Sequence, residues 1–126
     1  MKKCPCVLVH CMDFRTQHIV DGLIERLGMK GSSLLGMRGS CDRVSVQGGA
    51  GNFAQTEAHL ATARKLHECS QAILTVHEDC GAGATRKDLQ RAAEIAARLG
   101  YEKVRLFYIK LDGTCEEVPV GEKAGL

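Results

Sequence analysis

The 126-residue chain has no tryptophan, only two tyrosines and three phenylalanines, and two prolines. So few aromatic rings cannot build a stacking platform for nucleic-acid bases. An excess of one charge is also missing. The 17 Lys and Arg residues stand against 15 Asp and Glu, for a formal net charge of +2, which argues against nucleic acid or a membrane surface as a partner. Long hydrophobic runs are absent too. The opening Met1-Lys2-Lys3-Cys4-Pro5 imitates a basic leader, but the apolar run behind it, Val7-Leu8-Val9, falls short of the roughly 7 residues of a secretory h-region. A lipoprotein reading at Cys11 fails as well, because His10 stands where a small residue is required. No internal repeat, low-complexity stretch or linker breaks the chain. It is expected to form one small domain over residues 1–126 with a single core.

Cysteine, by contrast, is plentiful: seven in this length, an odd number. A secreted disulfide scaffold would carry an even count behind a signal peptide. The expectation is a cytoplasmic protein whose thiols are reduced or bound to metal.

The hydrophobic pattern alternates strand and helix. Residues 6–10 form a short apolar run suited to a buried strand. Residues 16–27 follow as a helix with Ile19, Val20, Leu23 and Leu27 on one face and Gly28 at its end. Residues 31–40 carry no assignable pattern, and 43–47 alternate like a second strand before Gly48-Gly49-Ala50-Gly51. Asn52 and Gln55 have capping-box spacing at the head of a helix that runs to about residue 67. Residues 72–76 make a third strand. Thr85 is expected to cap a helix carrying Leu89, Ala92, Ile95, Ala96 and Leu99, ended by Gly100. Residues 103–111 form a fourth strand, Asp112-Gly113 a turn, and 117–120 a candidate antiparallel return. The expected fold is an α/β sandwich with right-handed crossovers. Its mostly parallel four-stranded sheet has a candidate fifth, antiparallel edge strand and helices on both faces.

Ligands of such sheets gather beyond the carboxyl ends of the strands. Three chemically loaded segments leave those ends: Cys11-Met-Asp13-Phe-Arg15 after the first strand, Gly48 and Gly49 after the second, and His77-Glu-Asp-Cys80-Gly81 after the third. Cys11, His77 and Cys80 make a three-ligand zinc set with a fourth position left for water or substrate. His77 and Cys80 are three residues apart, and Cys11 lies 66 residues upstream (77 minus 11), so only folding closes the site. Zinc brings the pKa of its water from about 15.7 towards ~7, and the protein must then orient the hydroxide. Asp13 is the natural hydrogen-bond acceptor. Arg15, with its planar fork, can hold that carboxylate off the metal. Gly81 and Ala82, near the expected helix start, offer backbone N–H groups to an anion.

This pattern resembles the beta-class carbonic anhydrases, whose signature is Cys-x-Asp-x-Arg followed by His-x-x-Cys-Gly. The matching residues are Cys11, Asp13 and Arg15, then His77, Cys80 and Gly81, and the stretch 48–52 resembles that family's glycine/asparagine loop. The resemblance spans about residues 7–109. It implies an α/β fold, one Zn2+ per chain on Cys11, His77 and Cys80, and catalytic roles for Asp13 and Arg15. It further implies a homodimer or higher oligomer and reversible hydration of CO2 to bicarbonate by zinc-bound hydroxide; sister enzymes hydrolyse CS2 or COS. Two departures stand out. The chain begins at the first strand, without the N-terminal helices that embrace a partner subunit in the larger enzymes, and Phe14 replaces a usual serine. It resembles short members carrying His-Glu-Asp-Cys-Gly.

Two other identities fit parts of the pattern. Cys80 and Arg86 match Cys-x5-Arg, the phosphate loop of cysteine phosphatases and arsenate reductases, with Cys80 as nucleophile. A zinc site closed by Asp13 or another fourth ligand would be structural. For the remaining candidates the plainer reading is preferred. His10 alternates away from Cys11 and belongs to the core or behind the site. His18, His59 and His67 are solvated helix residues, and Glu78 and Asp79 a solvated pair, with Asp79 also placed to support the site. Cys4-Pro-Cys6 could be a soft-metal or redox pair, but ordinary strand cysteines are expected, and Cys41, Cys69 and Cys115 serve as small hydrophobes.

Overall fold

A computed structural model describes residues 4–27 and 41–122. Gly28, the unassigned stretch 31–40 and the Cys41 side chain lie outside the described residues. The expected α/β architecture is present. Strand β1 (Cys6–Cys11) is buried along its whole length, which explains its continuous apolar sequence: it is a central strand covered on both faces. A short 3-10 turn (Phe14–Thr16) leads into α1 (Gln17–Arg26). After β2 (Cys41–Val46), a 3-10 turn (Gly49–Gly51) precedes α2 (Phe53–His67). Then come β3 (Gln71–His77), α3 (Asp88–Arg98), β4 (Lys103–Ile109) and β5 (Cys115–Val118). The sheet order is β2-β1-β3-β4-β5. The first four strands are parallel and β5 returns antiparallel on β4, so the candidate fifth strand exists.

Two cores flank the sheet. Val7, Val9, Leu74, Val76 and Leu106 point to one face, against Leu60 and Ala63 of α2 and Leu89, Ala92 and Ala96 of α3. Leu8, Ile73, Phe107 and Ile109 point to the other, against Ile19, Val20, Leu23 and Ile24 of α1. The period-2 alternation of each strand thus feeds both layers. From β1 to β2 the chain steps one way with α1 on one face; from β2 onward it steps the other way with α2 and α3 on the opposite face. Reversing direction and face together keeps one hand of crossover. The reversal also creates a switch point between β1 and β3, where ligand crevices form.

Local differences from expectation have specific causes. The helix expected over 16–27 runs from Gln17 to Arg26; Thr16 closes the 3-10 turn before it, its Oγ1 donating to the Asp13 carbonyl (3.0 Å). Thr85 caps nothing. Its N–H instead donates to Asp88 Oδ2 (2.8 Å), and α3 begins only at Asp88. β5 sits two residues earlier than expected, since the turn closes at Lys110–Thr114 (N···O 2.8 Å) and Asp112 Oδ1 accepts from Thr114 N–H. Among the described residues no helix is long and apolar enough to cross a membrane.

Candidate metal centre

β1 and β2 end in register, Cys11 opposite Val46, so the glycines after β2 arrive beside Cys11. Gly48 N–H donates to Cys11 Sγ (3.4 Å), which fixes the sulfur's position beside the glycine turn. Gly48 and Gly49 both have positive φ, +91° and +56°. At Gly49 a Cβ would stand 2.6 Å from the Thr75 carbonyl oxygen and 3.1 Å from Cys11 N. Only glycine lets this turn press against the ends of β1 and β3.

His77, the last residue of β3, is 2% exposed. Its Nδ1 lies 2.7 Å from the Glu78 carbonyl oxygen. A carbonyl only accepts, so Nδ1 carries the proton and Nε2 keeps its lone pair. That Nε2 is buried without a hydrogen-bond partner. Such an orphan has a reason when a cation is meant to occupy the space in front of it. Cys11, His77 and Cys80 each offer one donor atom there, all within 4.8 Å of one another. Donors around one tetrahedral zinc, with bonds of about 2.0–2.3 Å, lie roughly 3.5 Å apart, so a slight closing of three side chains brings the set to bonding distance. Two thiol sulfurs and one imidazole are a zinc-type donor set.

Asp13 and Arg15 stand at this cluster. The Asp13 carboxylate caps the 3-10 turn, its Oδ1 accepting from Arg15 N–H (2.9 Å), which turns the chain back beside the end of β1. The Arg15 side chain reaches both carboxylate oxygens, the shortest contact being Nη2 to Oδ2 at 2.7 Å. Hydrogen bonds from the Arg15 side chain and backbone hold the Asp13 carboxyl down at about 2. Asp13 Oδ2 is 3.7 Å from His77 Nε2, too far for a hydrogen bond. Arg15 is itself tied to the ligand loop, donating from Nη1 to Asp79 Oδ2 (3.2 Å) and from Nη2 to the Asp79 carbonyl (3.0 Å). Asp79 adopts a left-handed conformation, φ +55°. Its side chain is solvated, as expected, and also reaches the Asp13–Arg15 pair through Arg15. Glu78 is not a solvated partner: its Oε1 accepts from Leu111 N–H (2.6 Å), pinning the loop to the far end of β4.

Behind Cys11 lies a second layer that sequence reading did not assemble. His10 is buried. Its Nδ1 donates to the Cys11 carbonyl (3.0 Å), and its Nε2 accepts from Arg43 Nε (3.0 Å). Burial pushes the His10 pKa down, against the Cys11 carbonyl contact. Arg43 pairs with Asp21, and Gln17 Nε2 bonds the carbonyls of Cys11 (3.1 Å) and Asp13 (2.9 Å). The available signal was weak: Arg43 is an exposed position in an alternating strand, and only the parallel β1–β2 register brings it beside His10.

Two sequence-level assignments change. Gly81 is exposed, no atom lies within 4 Å of where its Cβ would be, and α3 starts seven residues later. Its N–H and that of Ala82 therefore stand at no helix terminus. Arg86 does not face a phosphate loop either. Its guanidinium pairs with Glu116 (3.1 Å) and Glu122, and those carboxylates would repel a phosphate.

The architecture has solved counterparts. A carbonic anhydrase from Streptococcus mutans is similar at TM-score 0.58 and 16% identity, over 94% of this chain and 83% of that one. A carbonic anhydrase from Glaciozyma antarctica gives 0.57 and 13%, again over 94% and 83%. The β-carbonic anhydrase CafA of Aspergillus fumigatus gives 0.52 and 12%, over 97% and 78%. No protein-family model matches the chain, and no curated protein sequence does. The likeness is one of architecture, and by it the chain has the β-carbonic anhydrase fold.

Proposed function

We propose that this protein is a zinc-dependent lyase of the carbonic anhydrase kind, interconverting CO2 and bicarbonate, with Cys11, His77 and Cys80 holding the metal. The observation that carries this reading is the buried, unpartnered His77 Nε2, with two thiols in ligand range and an Asp13–Arg15 pair beside it. Bound zinc would supply a Lewis acid able to ionise water near neutral pH. The chain's own residues do the rest. Gly48 N–H holds the Cys11 sulfur in place, and the Glu78 carbonyl fixes the His77 tautomer. Asp13, with its carboxyl held at about 2, stays ionised throughout the working range. It is too weak a base to take a proton outright, so its role is to accept a hydrogen bond and orient the nucleophile. Arg15 keeps it from ligating the metal. The glycine turn at Gly48 and Gly49 forms one wall of the site, and the protein is read as a cytoplasmic homodimer. Exposed Met12 and Phe14 (61% and 84% exposed), on either side of Asp13, are apolar surface that a second subunit would cover.

The test compares wild type with Cys11→Ser/Cys80→Ser by elemental analysis and stopped-flow CO2 hydration. Zinc content is expected to differ by about one equivalent per chain, and turnover to be confined to wild type. Zinc retention without CO2 turnover would overturn the lyase reading and leave a closed or differently specific site, as in CS2 or COS hydrolysis. Equal zinc in both chains would overturn the metal site itself.

A further inference from the structure

At the amino end of the same sheet, a second group of soft and hard donors converges from three segments. Cys4 precedes β1, Asp42 is the second residue of β2, and Cys69 lies between α2 and β3. Their two sulfurs and a carboxylate oxygen all fall within 4.8 Å of one another. Both cysteines are buried, Cys69 completely, and Cys69 Sγ is 3.6 Å from Asp42 Oδ2. The arrangement is built by backbone. α2 ends with Glu68 in the left-handed conformation, φ +54°, so that His67 and Cys69 on either side of it both reach Asp42. Cys4 N–H donates to the His67 carbonyl (2.9 Å), and Arg64 Nη1 to the Cys69 carbonyl (2.9 Å). His67 Nδ1 meets Asp42 Oδ2 at 2.6 Å, the kind of outer contact that orients a ligating group. Solvent reaches Asp42 through a groove of about 220 Å³ that is also lined by His59, Thr62, Leu66 and His67.

We propose that Cys4, Asp42 and Cys69 form a second cation site, for a thiophilic divalent ion of the zinc class. The inference is independent of the site at the carboxyl ends of the strands. Two cysteine sulfurs and one carboxylate within ligand range of one another are a zinc-type donor set, and its Asp42 end meets the groove. Binding exchanges the two thiol protons for the cation. Three negative ligands on a dication leave one net negative charge (2 minus 3), and the Arg64 guanidinium on the Cys69 carbonyl stands close by to offset it. Cys69 was expected to be a lone packing residue and Cys4 to pair, if at all, with Cys6; Cys69 is the partner instead.

The test is Co2+ titration of the full chain carrying Cys11→Ser/Cys80→Ser, under reducing, anaerobic conditions, so that the other site contributes nothing. About one equivalent of Co2+ is expected, with thiolate-to-cobalt charge-transfer absorption. Adding Cys69→Ser should abolish the band. Adding Asp42→Asn, which keeps both thiols and the side-chain shape, should weaken binding by roughly tenfold or more. Absence of the band in the parent variant, or its survival with Cys69→Ser, would overturn the proposal. So would mass spectrometry of the natively isolated wild type showing Cys4 and Cys69 joined as a disulfide. If Cys69→Ser does not fold by circular dichroism, the Asp42→Asn titration decides, and undiminished affinity there sinks the idea.

Discussion

Arg15 grips both oxygens of Asp13, with Nε at 3.1 and 3.2 Å and Nη2 at 2.7 Å, while its remaining reach goes to Asp79 across the ligand loop. A fork is needed to do both at once; an ammonium is a single point charge on a flexible stem. Arg15→Lys should therefore keep the charge and lose the lock. Under the proposed function, CO2 hydration in that variant should fall about 10–100-fold with zinc content unchanged. Asp13→Asn should do at least as much, because it removes the charged acceptor. Full activity in Arg15→Lys would show that the pair plays no part in the chemistry.

Gly49 and Gly81 separate structural from permissive glycines in the same site. A Cβ at Gly49 would meet the Thr75 carbonyl at 2.6 Å from a backbone with φ +56°, and neither β1 nor β3 can retreat from the sheet. Gly49→Ala should cost about 2–4 kcal/mol, combining left-handed strain with a backbone clash. Gly81→Ala, with nothing within 4 Å, should stay within about 0.5 kcal/mol of wild type. Denaturant unfolding of the two variants measures the contrast directly, and equal losses would refute the packing argument.

Asn52 closes the glycine turn and opens α2. Its Oδ1 accepts from Gln55 N–H (3.2 Å), and its Nδ2 donates to the Gln47 carbonyl (3.0 Å). Asn52→Ala removes both and should destabilise by about 1 kcal/mol, the usual worth of an N-cap. Asn52→Asp keeps the cap and loses only the Gln47 contact, so it should fall between the two. An alanine variant as stable as wild type would mean that packing of α2, not its cap, fixes the helix start.

What could be read from sequence follows from how local each cause is. The strands were legible because β1 and β3 are buried on both faces, and burial writes itself as continuous Val, Leu and Ile. Asn52 was legible because a cap needs only its neighbours three residues on. Cys11, His77 and Cys80 were legible because short fixed spacings follow strands that the topology must bring side by side. The misreadings share the opposite property. Thr85 was misplaced as a cap because the chain makes a further turn after it, held by Thr85 N–H on Asp88 Oδ2, and α3 begins only at Asp88. Glu78 looked solvated because its partner, Leu111 N–H, lies at the end of another strand. Cys69 and Asp42 gave no joint signal, since they meet only through the parallel register and the left-handed turn at Glu68.

The edge strand offers a pH test. β5 pairs with β4 over four residues, and Arg105 reaches across to Glu117 with two hydrogen bonds, 2.9 and 2.8 Å. The Arg105 hydrogen bonds lower the Glu117 pKa below its usual 4.5. A carboxylate whose folded pKa is depressed contributes stability above its unfolded pKa and loses it as pH falls through the folded one. Both side chains are more than a third exposed, 38% and 48%, so solvent screening holds the contribution to about 0.5 kcal/mol. Glu117→Gln should accordingly lower stability by that amount near neutral pH. The difference from wild type should shrink once the pH drops below about 4.5, where the wild-type carboxylate begins to take up its proton. Parallel denaturation curves at neutral and strongly acidic pH decide the matter: a deficit that persists unchanged in acid would mean that glutamine disturbs β5 by its shape and not by its missing charge.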